Sequence, residues 1–131
     1  MSTAVTRGIR VSVESRYIPD RSRPQSRQYA FAYTITITNE GPFTAQLLGR
    51  YWVITDNTGG LREVQGEGVV GEQPILEPNE SFRYTSWCVL PTPSGSMKGL
   101  YDMIIKTGEE RGDTFKAEVA PFRLGVSESL N

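Results

Sequence analysis

Apolar and polar residues alternate along most of this chain. In residues 9–15 the apolar residues Ile9, Val11 and Val13 are separated by polar ones, and residues 29–38, YAFAYTITIT, repeat the alternation with aromatic and β-branched side chains. A period of two indicates β-strands that bury one face. The pattern predicts strands at residues 9–15, 29–38, 45–55, 61–65, 81–90, 96–107 and 114–126, with Pro121 as a candidate break in the last.

Turn residues separate these segments. The chain contains thirteen glycines and eight prolines, residues 56–60 (DNTGG) predict a hairpin turn, and residues 19–28 predict a polar loop. No segment has the apolar spacing of a helix. About seven short strands predict one all-β domain over residues 1–131, an immunoglobulin-like or fibronectin type III-like antiparallel β-sandwich. A small closed barrel is the alternative, because strand number does not separate the two.

Composition and charge narrow the range of possible partners and locations. Hydrophobic residues make up 37% and charged residues 22% of the chain, and the net charge is -1. We therefore expect neither a nucleic-acid partner nor a membrane, and we interpret Arg21, Arg23 and Arg27 as a solvated hairpin tip. The single cysteine, Cys88, permits no intramolecular disulfide, and the N-terminal residues lack the apolar core of a signal peptide. These features predict a cytoplasmic protein.

One motif has the spacing of a nucleotide-binding loop, Gly66-x-Gly68-x-x-Gly71. In dinucleotide-binding enzymes these glycines open a helix whose N-terminus faces the pyrophosphate. Here Pro74 and Pro78 follow, and they prevent a regular helix. We interpret the glycines as permitting positive φ in a tight turn, and nucleotide or pyrophosphate binding remains the alternative.

Few residues suit catalysis or a metal. The sequence contains no histidine, which excludes Ser-His-Asp and Cys-His arrangements. Acid-dependent hydrolysis would need two of four carboxylates, Glu63, Glu67, Glu72 and Asp102, to meet in one cleft, and solvated surface charges are the expected alternative. Cys88 is interpreted as a small buried hydrophobe. We predict no enzyme activity, no cofactor and no dedicated metal site.

Several ordered segments resemble the ApaG (CorD) family: residues 47–55 (LLGRYWVIT), 63–74 (EVQGEGVVGEQP), 82–86 (FRYTS), 95–103 (GSMKGLYDM) and 121–124 (PFRL). The resemblance implies a fibronectin type III-like sandwich and a protein-binding role, in a family linked to cobalt resistance and magnesium efflux. It implies no catalytic activity. Asn79 departs from the family pattern, in which a glycine is expected.

The expected function is that of a non-enzymatic interaction module with a protein partner. Aromatic and arginine side chains dominate interface hot spots, so we predict a contact surface at the glycine motif and the strand before it. Gly68→Arg should then weaken binding without affecting folding. Trp87 is expected in the core, or on the surface if the other face of its strand is buried. An exposed sheet edge could pair two copies or dock an extended peptide. The predicted contact residues are Arg50, Tyr51, Trp52, Gly66, Glu67, Gly68 and Gly71.

Overall fold

Nine β-strands make up most of the chain that the computed structural model describes, residues 1–127. No α-helix occurs in this range, and two single-turn 3-10 helices, Pro19–Arg21 and Pro24–Ser26, lie in the predicted polar loop. Residues 128–131, which the one-domain prediction includes, lie outside the described residues. The strands are β1 (Ser2–Thr6), β2 (Ile9–Tyr17), β3 (Tyr29–Asn39), β4 (Ala45–Asp56), β5 (Leu61–Glu67), β6 (Ile75–Leu76), β7 (Ser81–Leu90), β8 (Ser94–Ile105) and β9 (Thr114–Gly125).

The strands form two antiparallel sheets packed face to face. The first has the order β1-β2-β3-β7, and the second has the order β5-β4-β8-β9 with β6 also paired to β4. This is the predicted sandwich, and the architecture is that of fibronectin type III and immunoglobulin-like domains. The closed barrel is wrong, because the two sheets have separate strand orders.

Inward-pointing residues of both sheets form one core. Trp52 lies at its centre, with edge-on ring contacts to Tyr33, Tyr101 and Phe122 at centroid distances of 5.7, 6.0 and 6.0 Å. Such aromatic pairs stabilise a core beyond the area that they bury. The Trp52 side chain therefore anchors the middle of β4 and fixes which of its residues face outward.

The two lateral sides of the sandwich are closed differently. Between the first sheet and β9, the hydroxyl groups of Ser2 and Ser15 donate to the carbonyls of Ala120 and Arg123 at 3.2 and 2.7 Å. On the opposite side, where β5 and β7 are the outermost strands, a side chain of β5 approaches β7 only at the 3.5 Å limit of a hydrogen bond. The second side leaves two sheet edges open to a partner.

Three features differ from the sequence expectation. The pattern did not predict β1, whose residues are at most half-buried, or β6, which has two residues. The candidate break at Pro121 does not occur, because β9 continues to Gly125. The register there places Ala120 and Pro121 opposite Lys98 alone, which is a β-bulge, and bulges are among the few sheet positions that accept proline.

Asn79 occupies a turn that explains its departure from the family pattern. Its φ is +74°, and its N–H group donates to the carbonyl of Asn39 at 2.6 Å. Asparagine is one of the few residues besides glycine that adopt the left-handed region routinely. The substitution therefore preserves the turn before β7.

Candidate functional site

The glycine loop, residues 66–74, projects from the edge of the second sheet. Before it, β5 pairs with β4 as far as Gly49, and after it, β6 pairs with Ala45 and Gln46 of the same strand. The loop therefore interrupts a single line of pairing along β4. Its base is fixed at both ends by the sheet.

The tip of the glycine loop is a two-residue hairpin turn. Val69 and Glu72 exchange two backbone hydrogen bonds of 2.8 and 2.9 Å around Val70 and Gly71, whose φ values are +44° and +82°. Positive φ at both central residues characterises type I′ turns. Gly71 adopts this conformation readily, whereas a β-branched residue such as Val70 rarely does.

The base of the glycine loop closes on a bulge in β4. The register shifts between Leu47 and Gly49, and the carbonyl of Leu48 accepts hydrogen bonds from the Gly68 N–H group at 2.8 Å and the Gln73 amide at 2.9 Å. Val69 is fully buried in the core. The loop is therefore docked onto the sandwich.

The structure leaves no room for a side chain at Gly68, which argues against the expectation that Gly68→Arg would leave folding unchanged. The φ of Gly68 is +60°, and a Cβ atom there would lie 2.3 Å from the Glu72 carbonyl oxygen. Backbone atoms cannot move away as a flexible side chain could. Gly71 also has positive φ, but no atom lies within 4 Å of a Cβ placed there.

Arg50 braces the glycine loop from its inner side. Its guanidinium donates from Nη1 to the carbonyls of Glu67 and Gly68 at 3.0 and 2.9 Å. It lies against Gly66, where a Cβ atom would be 2.9 Å from it, so the missing side chain makes room for the guanidinium. Charge-assisted bonds of this kind are stronger than neutral ones. Arg50 therefore has a structural partner within the chain.

Tyr51 and Trp52 point to opposite sides of β4, as strand alternation requires. Trp52 is only 3% exposed, so this predicted contact residue lies in the core. Tyr51 faces outward, and its hydroxyl is hydrogen-bonded to Glu63 on the neighbouring strand, which raises the pKa of Tyr51. Tyr51 is thus the predicted aromatic residue that a partner could reach.

An apolar strip surrounds Tyr51 on the outer face of the second sheet. Leu100 of β8 lies directly opposite Tyr51, and Val53 is the next outward residue of β4. All three are half-buried, and charged residues surround them. We name this surface the tyrosine face; it consists of Tyr51, Val53 and Leu100 with Glu63, Glu67, Lys98, Asp102, Lys116 and Glu118 around them.

The glycine loop lacks the features with which the similar motif binds phosphate. It leads to β6, with no helix N-terminus at Gly71. The N–H groups of Gly68, Val69 and Glu72 already donate to carbonyls of the chain. A phosphate would also meet the exposed side chain of Glu67, which is unfavourable for an anion.

The candidate catalytic carboxylates lie on open surfaces. Glu63 accepts the Tyr51 hydroxyl, Asp102 forms an ion pair with Lys116 at 2.8 Å, and Glu72 lies in the exposed hairpin. Within residues 1–127 no group of three or more metal-binding side chains is brought together. In the same range no helix has the length and apolar character needed to cross a membrane.

Cys88 lies beneath the surface of β7. It is 5% exposed, and burial raises the pKa of its thiol despite the nearby guanidinium of Arg62. A raised thiol pKa keeps the group protonated and unreactive at neutral pH. This position matches the interpretation of Cys88 as a buried hydrophobe.

The structure exposes apolar residues that the predicted contact set omits. Trp87 and Val89 of β7 are 55% and 48% exposed, and Leu61 at the start of β5 is 61% exposed. The opposite face of β7 is the buried one, which was the condition for an exposed Trp87. Leu61 and Val89 line one shallow groove between the outermost strands.

Comparison with known proteins identifies relatives over the whole length of the chain. The ApaG domain profile matches residues 19–105. Protein ApaG of Anaeromyxobacter dehalogenans is 52% identical over 131 residues and is covered completely, as is this chain. Protein ApaG of Acidithiobacillus ferrooxidans is 51% identical over 119 residues, 91% of each chain.

A solved structure has the same fold. The crystal structure of an ApaA protein from Bordetella pertussis is 48% identical, with a TM-score of 0.84, over 89% of this chain and 92% of that one. The chain therefore belongs to the ApaG domain family.

Proposed function

We propose that the protein is a non-enzymatic interaction module that binds a protein partner through the tyrosine face. The observation that carries the proposal is the apolar strip of Tyr51, Val53 and Leu100 at the centre of an outer sheet surface ringed by charges. Interface hot spots have this arrangement, with an aromatic anchor at the centre and a polar rim that excludes water.

The glycine loop supports this surface from its edge. The hairpin positions Glu67 at the rim and presents Val70, which is 56% exposed, beyond it. Arg50 and Trp52 contribute from inside by holding the loop and β4 in place. Of the predicted contact residues, Tyr51 and Glu67 would touch the partner, and the others would fix their positions.

Charge on the rim suggests the class of partner. Glu63 and Glu67 flank the strip on β5, while Asp102 is already neutralised by Lys116. A partner with basic residues opposite β5 would complement the two glutamates, and a partner with acidic residues there would be repelled.

Other parts of the proposal follow from the chemistry of the site. The candidate carboxylates lie on an open face and a hairpin, where no cleft would shield a reaction from water. A role in cobalt resistance or magnesium efflux would then be indirect, through the partner. A cytoplasmic location is consistent with a free, buried Cys88.

Photochemical cross-linking tests the tyrosine face directly. Benzoylphenylalanine at position 53 should give discrete protein adducts in a lysate of the native organism, and Leu100→Lys in the same chain should abolish them. Position 36 is the control, because Thr36 is also half-buried on the outer face of an inner strand but lies in the other sheet. Adducts that are equal at both positions, or none from position 53 in a folded variant, would refute the proposal.

A further inference from the structure

The outermost strand of the first sheet, β7, has unpaired main-chain groups. The Ile18 N–H group donates to the Ala30 carbonyl, so the main-chain N–H and C=O groups of the even-numbered residues of β3 point toward β2. The Asn39 N–H group donates to the Glu80 carbonyl, so the main-chain groups of the odd-numbered residues of β3 point toward β7. It follows that the even-numbered residues of β7 pair with β3. The N–H and C=O groups on the free edge belong to Arg83, Thr85, Trp87 and Val89, and of these the Val89 carbonyl lies 3.5 Å from Nη2 of Arg62.

These four residues form a surface that we name the β7 edge. No strand of residues 1–127 pairs with it. It extends over roughly 20 Å, which is enough for a strand of typical length. Threonine, tryptophan and valine have high strand propensity, and the exposed Trp87 and Val89 side chains lie beside the unpaired groups. Such an edge is a template for an added strand.

The charges around the β7 edge are mainly positive. Arg62 reaches it from β5, with Nη2 3.5 Å from the Val89 carbonyl and from Cys88 Sγ. Arg83 lies on the edge, and Arg16 is on the same row as Trp87, two strands away. None of the three arginines is in an ion pair within the described part of the chain. Glu14, on the next row, offsets part of this charge.

We propose that the β7 edge binds an extended protein segment in which apolar and acidic residues alternate. The segment adds a fifth strand to the first sheet. Residues opposite Trp87 and Val89 share their outer face, where apolar side chains contact them, and a residue opposite Cys88 points inward to Arg62, where a carboxylate pairs with the guanidinium. This surface lies on the other sheet from the tyrosine face, and either could exist without the other.

NMR titration with the acetylated and amidated peptide TVEVEVT tests this proposal. The amides of Thr85 and Trp87 should shift and become protected from hydrogen exchange, because they gain strand pairing. The peptide TVKVKVT should bind at least about tenfold more weakly, since it places ammonium groups at Arg62.

A matched pair of variants isolates the main-chain edge. Thr85→Pro removes an N–H group that does not pair with β3, whereas Thr85→Ala removes the same side chain and retains the N–H group. Proline should reduce peptide affinity by about tenfold or more, and alanine should have little effect. Arg62→Gln removes the inward charge and should weaken peptide binding severalfold. This variant tests the proposal if the proline variant does not fold.

Three results would overturn the proposal. The first is an absence of shifts at Thr85 and Trp87 at about 1 mM peptide. The second is equal binding of the acidic and basic peptides. The third is protection of this edge that depends on protein concentration alone, because the occupant would then be a second copy of the chain.

Discussion

Replacing Val69 by alanine should destabilise the protein, although Val69 lies in a loop. Its side chain is fully buried in the core, while the adjacent Val70 is 56% exposed at the tip of the hairpin. If the loop is docked, the same valine-to-alanine change should therefore destabilise the protein at position 69 and not at position 70.

The expected magnitude follows from the buried side chain. Valine to alanine removes two methyl groups, worth about 1.6 kcal/mol of transfer free energy. A cavity that does not collapse adds about 1 kcal/mol. We expect Val69→Ala to lower the free energy of unfolding by about 2 to 3 kcal/mol and Tm by roughly 8 °C. Val70→Ala should not lower stability, because the side chain is exposed and alanine tolerates positive φ at least as well as a β-branched valine.

Urea unfolding monitored by tryptophan fluorescence measures both variants. Trp52 is in the core, so its emission reports global unfolding. The dependence of free energy on urea should be the same in all three proteins, because the surface exposed on unfolding hardly changes. If Val69→Ala were as stable as Val70→Ala, the glycine loop would not be docked in solution.

Three other changes test separate parts of the structure. Arg50→Gln should lower stability by about 1 to 2 kcal/mol because two loop carbonyls lose a charged donor, and an unchanged urea midpoint would exclude the brace. The Thr58 hydroxyl and the N–H groups of Thr58 and Gly60 lower the pKa of Asp56. The stability that the Asp56 carboxylate contributes is therefore present above the ordinary aspartate pKa and is lost as pH falls through the lowered value. Asp56→Asn should make Tm less dependent on pH in this acidic range, and identical curves of Tm against pH for the variant and the original protein would contradict this assignment. Because burial raises the pKa of Cys88, a disulfide reagent should modify it slowly at neutral pH and fast only in urea, whereas immediate reaction of the native protein would refute its burial.

Strand alternation predicted most of the fold because each long strand buries only one face. It could not decide whether Tyr51 or Trp52 faces the core, since either phase fits a strand with apolar residues on both sides. Pairing with β8 decides it, because Trp52 lies opposite Gly99, where the absent side chain leaves room for the indole. Such pairing depends on residues distant in sequence.

The glycine loop was predictable only in part. Pro74 and Pro78 indicated that no helix follows the motif, and the structure has none there. The bulge at Leu48 and the burial of Val69 depend on contacts with β4 and the core, which have no local signal. Trp87 is a similar case, because β7 has apolar residues on both faces and its periodicity does not identify the buried one.

Amide hydrogen exchange at Gly68, Val69 and Glu72, measured with and without an excess of ATP or pyrophosphate, tests the central claim most directly. If the glycine loop is a structural hairpin, these three amides exchange slowly, because they are bonded within the chain, and neither ligand changes their rates. Fast exchange in the free protein, or protection that increases with ATP or pyrophosphate, would show instead that the loop is an anion-binding site.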